Sequence, residues 1–248
     1  MIPSAKNPVF DAWFSRVARG RIEETFGRVL VSGLERARRA TEEGPIVGVL
    51  NHSTWWDALV VLWISRHLLG VDGYAMMDAR NLRRLPFFTR VGAFGVDLED
   101  PRDGARAIRH AATLLVGARR AVWIFPEGRE RSPFAPLELQ PGAAQVARVA
   151  RRARVMPVAL RYVFGEGERP DLFVAFGESE EGARDVGEGV AQQRRMLEAE
   201  LARIDAVVAS RDPGGFDVHF VRAPSRLGRL AERLLALLFP LPRLSSER

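Results

Sequence analysis

Short apolar runs alternate along this chain with longer stretches of helical periodicity. Pro45–Leu50 (PIVGVL), Gly73–Met77, Ala121–Phe125 (AVWIF), Val155–Val163 and Leu172–Phe176 read as short buried strands. Trp56–Leu69, Gly104–Ala118, Gly142–Arg152 and Val186–Ala209 read as helices. Strand–helix–strand alternation predicts an α/β fold, a mainly parallel sheet flanked by helices. At the N-terminus Phe10, Trp13, Phe14 and Val17 recur at helical spacing, and Ile22, Phe26 and Leu30 continue at i+4 beyond an expected break near Gly20. Arg16, Arg19, Arg21 and Arg28 fill the positions between them. Packing of this face on the core is the simpler account; an interfacial helix with aromatics among lipid head groups is the alternative.

Ser210–Gly215 (SRDPGG) marks the best candidate boundary. Beyond it Leu227, Leu230, Leu234, Leu237, Leu238 and Leu241 recur at helical spacing around Arg226, Arg229 and Arg233, with Pro240 near the end. The expected organisation is an N-terminal amphipathic helical segment (1–40), an α/β domain (41–210) and a C-terminal amphipathic appendage (211–248). Two basic amphipathic ends make contact with a membrane surface as tenable as packing. The longest apolar runs, Leu234–Leu241 and Ala58–Ile64, fall far short of the roughly 18–20 residues that span a bilayer. The first twenty residues also lack the apolar core of a signal peptide.

Composition then removes whole classes of chemistry. At 248 residues, 47% hydrophobic and 27% charged, the chain is an ordinary globular protein. It has no cysteine, which excludes disulfides, thiolate-bound zinc, iron–sulfur clusters and cysteine nucleophiles. Lys6 is the only lysine among 37 basic residues, so no P-loop Gly-Lys-Ser/Thr exists. The net charge of +6 leaves nucleic acid, anionic head groups and phosphorylated small molecules open as partners. The lack of basic blocks and of an RNA-binding aromatic pattern argues against nucleic acid.

The four histidines, His52, His67, His110 and His219, have no metal-ligand spacing, and HExxH, GxSxG and GxGxxG are absent. His67, His110 and His219 read as structural or surface residues. His52 stands apart, because Asn51-His52-Ser53-Thr54-Trp55-Trp56-Asp57 directly follows a strand. The carboxyl end of a parallel strand is where open α/β sheets place their sites. A continuous helix would splay His52 and Asp57 by about 140°. A loop entering a helix at Asp57 folds the carboxylate back onto the imidazole and makes a general base. The competing reading is a plain helix cap with His52 a bystander. A second strand end carries Phe125-Pro126-Glu127-Gly128-Arg129-Glu130-Arg131-Ser132, where Pro126 and Gly128 set a turn and the arginines suit an anion. Its competing reading is a charged surface loop.

Together these segments resemble the glycerolipid acyltransferase superfamily, which includes 1-acylglycerol-3-phosphate acyltransferases. Asn51-His52…Asp57 matches its NHxxxxD motif, Phe125-Pro126-Glu127-Gly128 the start of FPEGTRS, and Val155-Met156-Pro157-Val158 a Pro-bearing strand block. The resemblance runs from about Pro45 to Val163. It implies that His52 is the general base and Asp57 its partner, with Asn51, Glu127, Gly128, Arg129 and Arg131 in substrate binding. It implies acyl transfer from acyl-CoA or acyl carrier protein to a lipid hydroxyl, without an acyl-enzyme or cofactor. It further implies a peripheral, monotopic location at the cytoplasmic face of a membrane. The first-choice acceptor is 1-acylglycerol-3-phosphate, giving phosphatidate.

Two positions depart from the family pattern: Leu98 stands where an Arg is expected after Asp97, and Glu130 where the third block carries its Arg. A branch with the pattern NHxSWWD…FPxGxxR, some of it linked to acylation of carotenoid glycosides, is similar. A non-phosphate lipid alcohol is therefore the alternative acceptor, and a silent lipid-binding protein the alternative outside catalysis. Trp55 and Trp56 would exclude water or pack the helix start. Met76, Met77, Pro86, Phe87, Phe88 and Phe94 fit an acyl groove, or more simply core.

Overall fold

The computed structural model describes residues 1–165 and 167–222. The leucine-rich stretch from Arg226 to Leu241, expected as a C-terminal amphipathic helix, lies outside the described residues.

The chain opens on helix α1 (Pro8–Thr25), started by Asn7, whose side chain accepts the N–H groups of Val9 and Phe10, with Pro8 at the first helical position. The helix runs unbroken through Gly20 and stops at Phe26, which is extended. Leu30 therefore does not continue the helix. It lies in β1 (Arg28–Ser32), where the β-branched neighbours Val29 and Val31 favour a pleated strand. Helix α2 (Leu34–Glu43) follows, and its buried side is only Leu34, Ala37, Ala40 and Thr41.

The alternation then unfolds much as expected. β2 (Ile46–Leu50) leads into α3 (Trp56–Trp63), prolonged by a π-helical turn (Ile64–Leu69). β3 (Asp72–Asp78), α4 (Ala79–Arg84), a 3₁₀ turn (Pro86–Val91) and β4 (Ala93–Val96) come next. Helix α5 spans Pro101–Leu114, earlier than the expected Gly104–Ala118, because Asp100 caps it and Pro101 begins it. β5 (Arg120–Ile124), α6 (Gly142–Val149), β6 (Arg154–Phe164), β7 (Pro170–Phe176), β8 (Glu180–Glu181), α7 (Val186–Ser210) and β9 (Asp217–Val221) complete the order.

The strands form one sheet in the order β4-β3-β5-β2-β6-β7-β1-β9, with β8 also on β6. β2 is parallel to both β5 and β6, β3 to both β4 and β5, and β1 to β7. Antiparallel pairs join β6 to β7, β6 to β8, and β1 to β9. Residues past Ser210 thus return to the sheet and supply an edge strand beside β1. Pro157 is tolerated inside β6 because it sits where the partner changes from β8, at Val155, to β7, at Val158.

Alternate residues of β2 feed two cores. Val47 and Val49 pack with Ala107, Ala111, Val146 and Leu197 of α5, α6 and α7. Ile46 and Leu50 pack with Ile22, Ala37, Val60 and Ile64 on the side of α1, α2 and α3. Burial on both faces is why β2 reads as an uninterrupted apolar run. Gly48 is required there: a Cβ would lie 2.1 Å from the Trp123 ring. Among the described residues, no helix is long and apolar enough to cross a membrane.

Candidate active site

β2 and β5 are parallel neighbours, so the segments leaving their carboxyl ends, 51–57 and 125–131, meet. Asp57 lies in the first turn of α3 and is fully buried. A buried carboxylate needs donors, and Asp57 has four. Its Oδ2 takes the N–H groups of Ser53 (2.8 Å) and Thr54 (3.1 Å) and stands 2.7 Å from His52 Nδ1. Its Oδ1 takes the Tyr162 hydroxyl at 2.6 Å. The loop does fold the carboxylate back onto the imidazole. The same oxygen ties down the loop N–H groups of Ser53 and Thr54 ahead of the helix, while α3, entered at Trp55, has no side-chain cap, so the plain-cap reading does not hold.

A carboxylate is an acceptor only, so the hydrogen shared with it resides on Nδ1 and the lone pair on Nε2. No described residue bonds Nε2, and the side chain of His52 is 23% exposed. The ring packs on Phe125, with centroids 4.6 Å apart.

The backbone of His52 is held on both sides. Its N–H donates to Glu127 Oε2 at 2.7 Å, and its carbonyl accepts the Arg131 N–H at 2.8 Å. Glu127 is buried, and burial pushes its carboxyl above the ordinary range, opposed by the His52 N–H and the Arg131 charge. Gly128 turns the loop at φ +70°, its N–H on the Phe125 carbonyl at 3.0 Å.

Of the expected substrate-binding residues, two face inward. Asn51 is buried, and its amide clasps the backbone of Leu160 on β6: Nδ2 donates to the carbonyl at 3.1 Å and Oδ1 accepts the N–H at 2.8 Å. Both ends of that side chain are therefore committed to bracing β2 against β6. Glu127 is likewise committed to His52. Gly128 and Arg129 are exposed on the turn, while the guanidinium of Arg131 pairs with Glu138. Leu98 is exposed beside this turn, 3.8 Å from where a Cβ at position 128 would sit.

Tyr162 is the site residue that sequence reasoning missed. Its phenol pKa is held well above the ordinary value by burial and by the Asp57 charge, so it stays a donor. The available signal was a lone hydroxyl-bearing residue at the end of the strand that flanks β2.

The other candidates disperse. Phe94 is core, edge-on to His110 at 5.1 Å, and Met76 and Met77 are half-buried on β3. Phe87 and Phe88 lie against Phe14 of α1 instead of forming a groove with them. Trp56 packs on Phe26, and Trp55 stacks over it with its outer side exposed. His67 Nε2 lies 3.2 Å from the Ser15 carbonyl, and His219 is exposed on β9. Among the described residues no three His, Asp or Glu side chains gather to hold a metal ion.

The site is thus a histidine whose outward nitrogen carries the lone pair, backed by a buried, fully bonded carboxylate. Compared with known proteins, residues 28–161 match the family model described as Acyltransferase. No curated protein matches the chain.

Proposed function

The chain belongs to the acyltransferase family, and we propose that it moves a fatty acyl group from acyl-CoA or acyl carrier protein to the hydroxyl of a lipid at a membrane surface, with 1-acylglycerol-3-phosphate the first acceptor to test. The observation that carries the mechanism is the His52–Asp57 pair with Nε2 facing outward.

Nε2 takes the proton of the acceptor hydroxyl as its oxygen attacks the thioester carbonyl carbon. The tetrahedral intermediate expels the thiolate, which recovers that proton from the imidazolium. The products are an ester and a free thiol, and His52 ends as it began. Asp57 stabilises the imidazolium between the two steps. No protein nucleophile is required, in keeping with a sequence that has no cysteine and no serine elbow.

A second acceptor class has its own support. Arg131 is already paired with Glu138, and Leu98 occupies the position beside Gly128 where a phosphate-binding Arg is expected. Both features favour a neutral lipid alcohol, such as a glycoside.

Thiol release from palmitoyl-CoA, in detergent micelles, tests both readings with lysophosphatidate and a neutral glycolipid as separate acceptors. Release that needs an acceptor and is lost in His52→Ala supports the mechanism. The acceptor that works decides between the two classes. A fully active His52→Ala would overturn the general-base assignment.

A further inference from the structure

The turn that leaves β5 carries two arginines, and one carboxylate is anchored to face it. Arg129 and Arg131 flank Glu130 there, and the backbone N–H of Arg131 bonds the His52 carbonyl at 2.8 Å. The chain comes back along the same turn at 137–140, where the Gln140 N–H donates to the Pro126 carbonyl at 2.7 Å. Leu137 and Leu139 are buried in the core shared with α5, α6 and α7, while Glu138 between them is exposed. The two leucines fix the backbone of Glu138 at a set place, and its carboxylate meets the Arg131 guanidinium from there.

Solvent-screened ion pairs add little to a fold, so stability is a poor reason for this one. Its chemistry suggests another. A guanidinium presents a planar fork that fits a carboxylate and a phosphate alike, so an arginine already holding Glu138 is withdrawn from any other anion. The Arg131 side chain is only 17% exposed, which leaves a second anion little of it to reach. The bond from Arg131, with the charges of Arg131, Arg129 and Arg194, holds the Glu138 carboxyl below the ordinary range, so it stays ionised near neutral pH. The other buried carboxylate of the turn, Glu127, is committed to the His52 N–H and leaves the arginines to Glu138.

We propose that Glu138 sets the specificity for the acceptor: it fills the anion site of Arg131 and Arg129 from within the chain, so a neutral acceptor meets no open charge and a phosphate-bearing one must displace it. The proposal rests on the acyl-transfer reading and names the acceptor class this chain prefers. In 1-acylglycerol-3-phosphate the phosphate is on the carbon next to the one that bears the free hydroxyl. A hydroxyl brought to His52 therefore brings the phosphate close to a turn bonded to that residue. The phosphates of acyl-CoA are the other source of the same chemistry, and the test separates the two.

Glu138→Gln keeps the shape and removes the charge at an exposed place, so the fold should be retained. Thermal melts of the full chain with glycerol 3-phosphate need no turnover. The variant should gain a stabilisation by glycerol 3-phosphate that wild type lacks, and Glu138→Gln/Arg131→Gln should lose it again. In thiol release from palmitoyl-CoA in mixed micelles, the ratio of kcat/KM for lysophosphatidate over a neutral glycolipid should rise about fivefold in Glu138→Gln, the worth of one solvent-screened ion pair, and fall back in the double variant. An unchanged ratio, or a rise that survives loss of Arg131, would overturn the proposal. So would a lower KM for palmitoyl-CoA at a constant acceptor ratio, which assigns the anion site to the donor. If neither acceptor is turned over, the acyl-transfer reading of these substrates fails while the melts still decide the anion site: a gain in Glu138→Gln alone supports it, and no gain overturns it.

Discussion

The Tyr162 hydroxyl donates to Asp57 Oδ1 at 2.6 Å, while Oδ2 of the same carboxylate faces His52 Nδ1 at 2.7 Å. A residue of β6 is thus linked to His52 through a buried charge. With the phenol in place, part of that charge is spent away from the imidazole. Tyr162→Phe returns it to the imidazole and stabilises the imidazolium. The acidic limb of kcat/KM should therefore move to higher pH, with kcat lower and the donor KM unchanged. The lost bond should also cost about 1–3 kcal/mol of stability, the usual range for a buried group left unsatisfied. A pH–rate profile that superimposes on wild type would reduce Tyr162 to packing.

Asp57→Asn tests the carboxylate itself. The Ser53 and Thr54 N–H groups keep the amide oxygen in the place of Oδ2, facing Nδ1, so the tautomer is retained and what is lost is the charge that stabilises the imidazolium. A fall in kcat on the order of 10²–10⁴, the usual worth of general-base catalysis, is expected, with small changes in KM. Single-turnover thiol release measures it, and activity within tenfold of wild type would contradict the pairing.

Asn51→Ala separates bracing from substrate binding. It leaves both the N–H and the carbonyl of Leu160 without their partner. Stability in urea should drop by about 2–4 kcal/mol, as for two buried groups left unsatisfied. Activity at low temperature should fall through kcat, because β2 and the adjoining His52 lose their anchor on β6. A rise confined to the acceptor KM would instead restore Asn51 to the substrate.

The sequence pattern was clearest where the chemistry is local. β2 and β5 are buried on both faces and read as unbroken apolar runs, and His52 and Asp57 share one short loop. Elsewhere local patterns misled. Ile22, Phe26 and Leu30 keep a helical spacing although the chain changes to a strand between the last two. Helix α2 was invisible because Ala37, Ala40 and Thr41 make a weak buried stripe in a highly charged segment. The partnerships of Tyr162 with Asp57, Asn51 with Leu160 and Lys6 with Asp72 cross more than sixty residues, so only the sheet order brings them together.

Glu127→Gln gives a pH-dependent prediction whose sign follows from its raised pKa. The folded protein binds this proton more tightly than the unfolded chain, so the carboxyl contributes stability in acid that is lost as pH rises through its folded pKa. Gln carries no charge to bury, and its Oε1 can still accept the His52 N–H. The variant should therefore melt above wild type at neutral pH, with the gap closing below the ordinary carboxylate range. Thermal melts across pH measure this, and a gap that widens in acid would contradict burial as the cause of the shift.

Leu98→Arg probes the acceptor's head group. Leu98 is exposed, so an arginine there costs little in folding, and it would stand beside Gly128 and the exposed Arg129. If the acceptor phosphate lies at this turn, a new guanidinium should improve kcat/KM for lysophosphatidate about fivefold, close to the 1 kcal/mol of a solvent-screened ion pair. The same substitution should leave a neutral glycolipid unaffected or slightly impaired, because it removes an apolar contact and supplies no partner. Ratios of kcat/KM for the two acceptors, measured side by side in wild type and variant, cancel differences in micelle partitioning. An unchanged ratio would mean that the acceptor head group does not pass between Leu98 and Gly128, and would shift the search for it to the Trp55 side of His52.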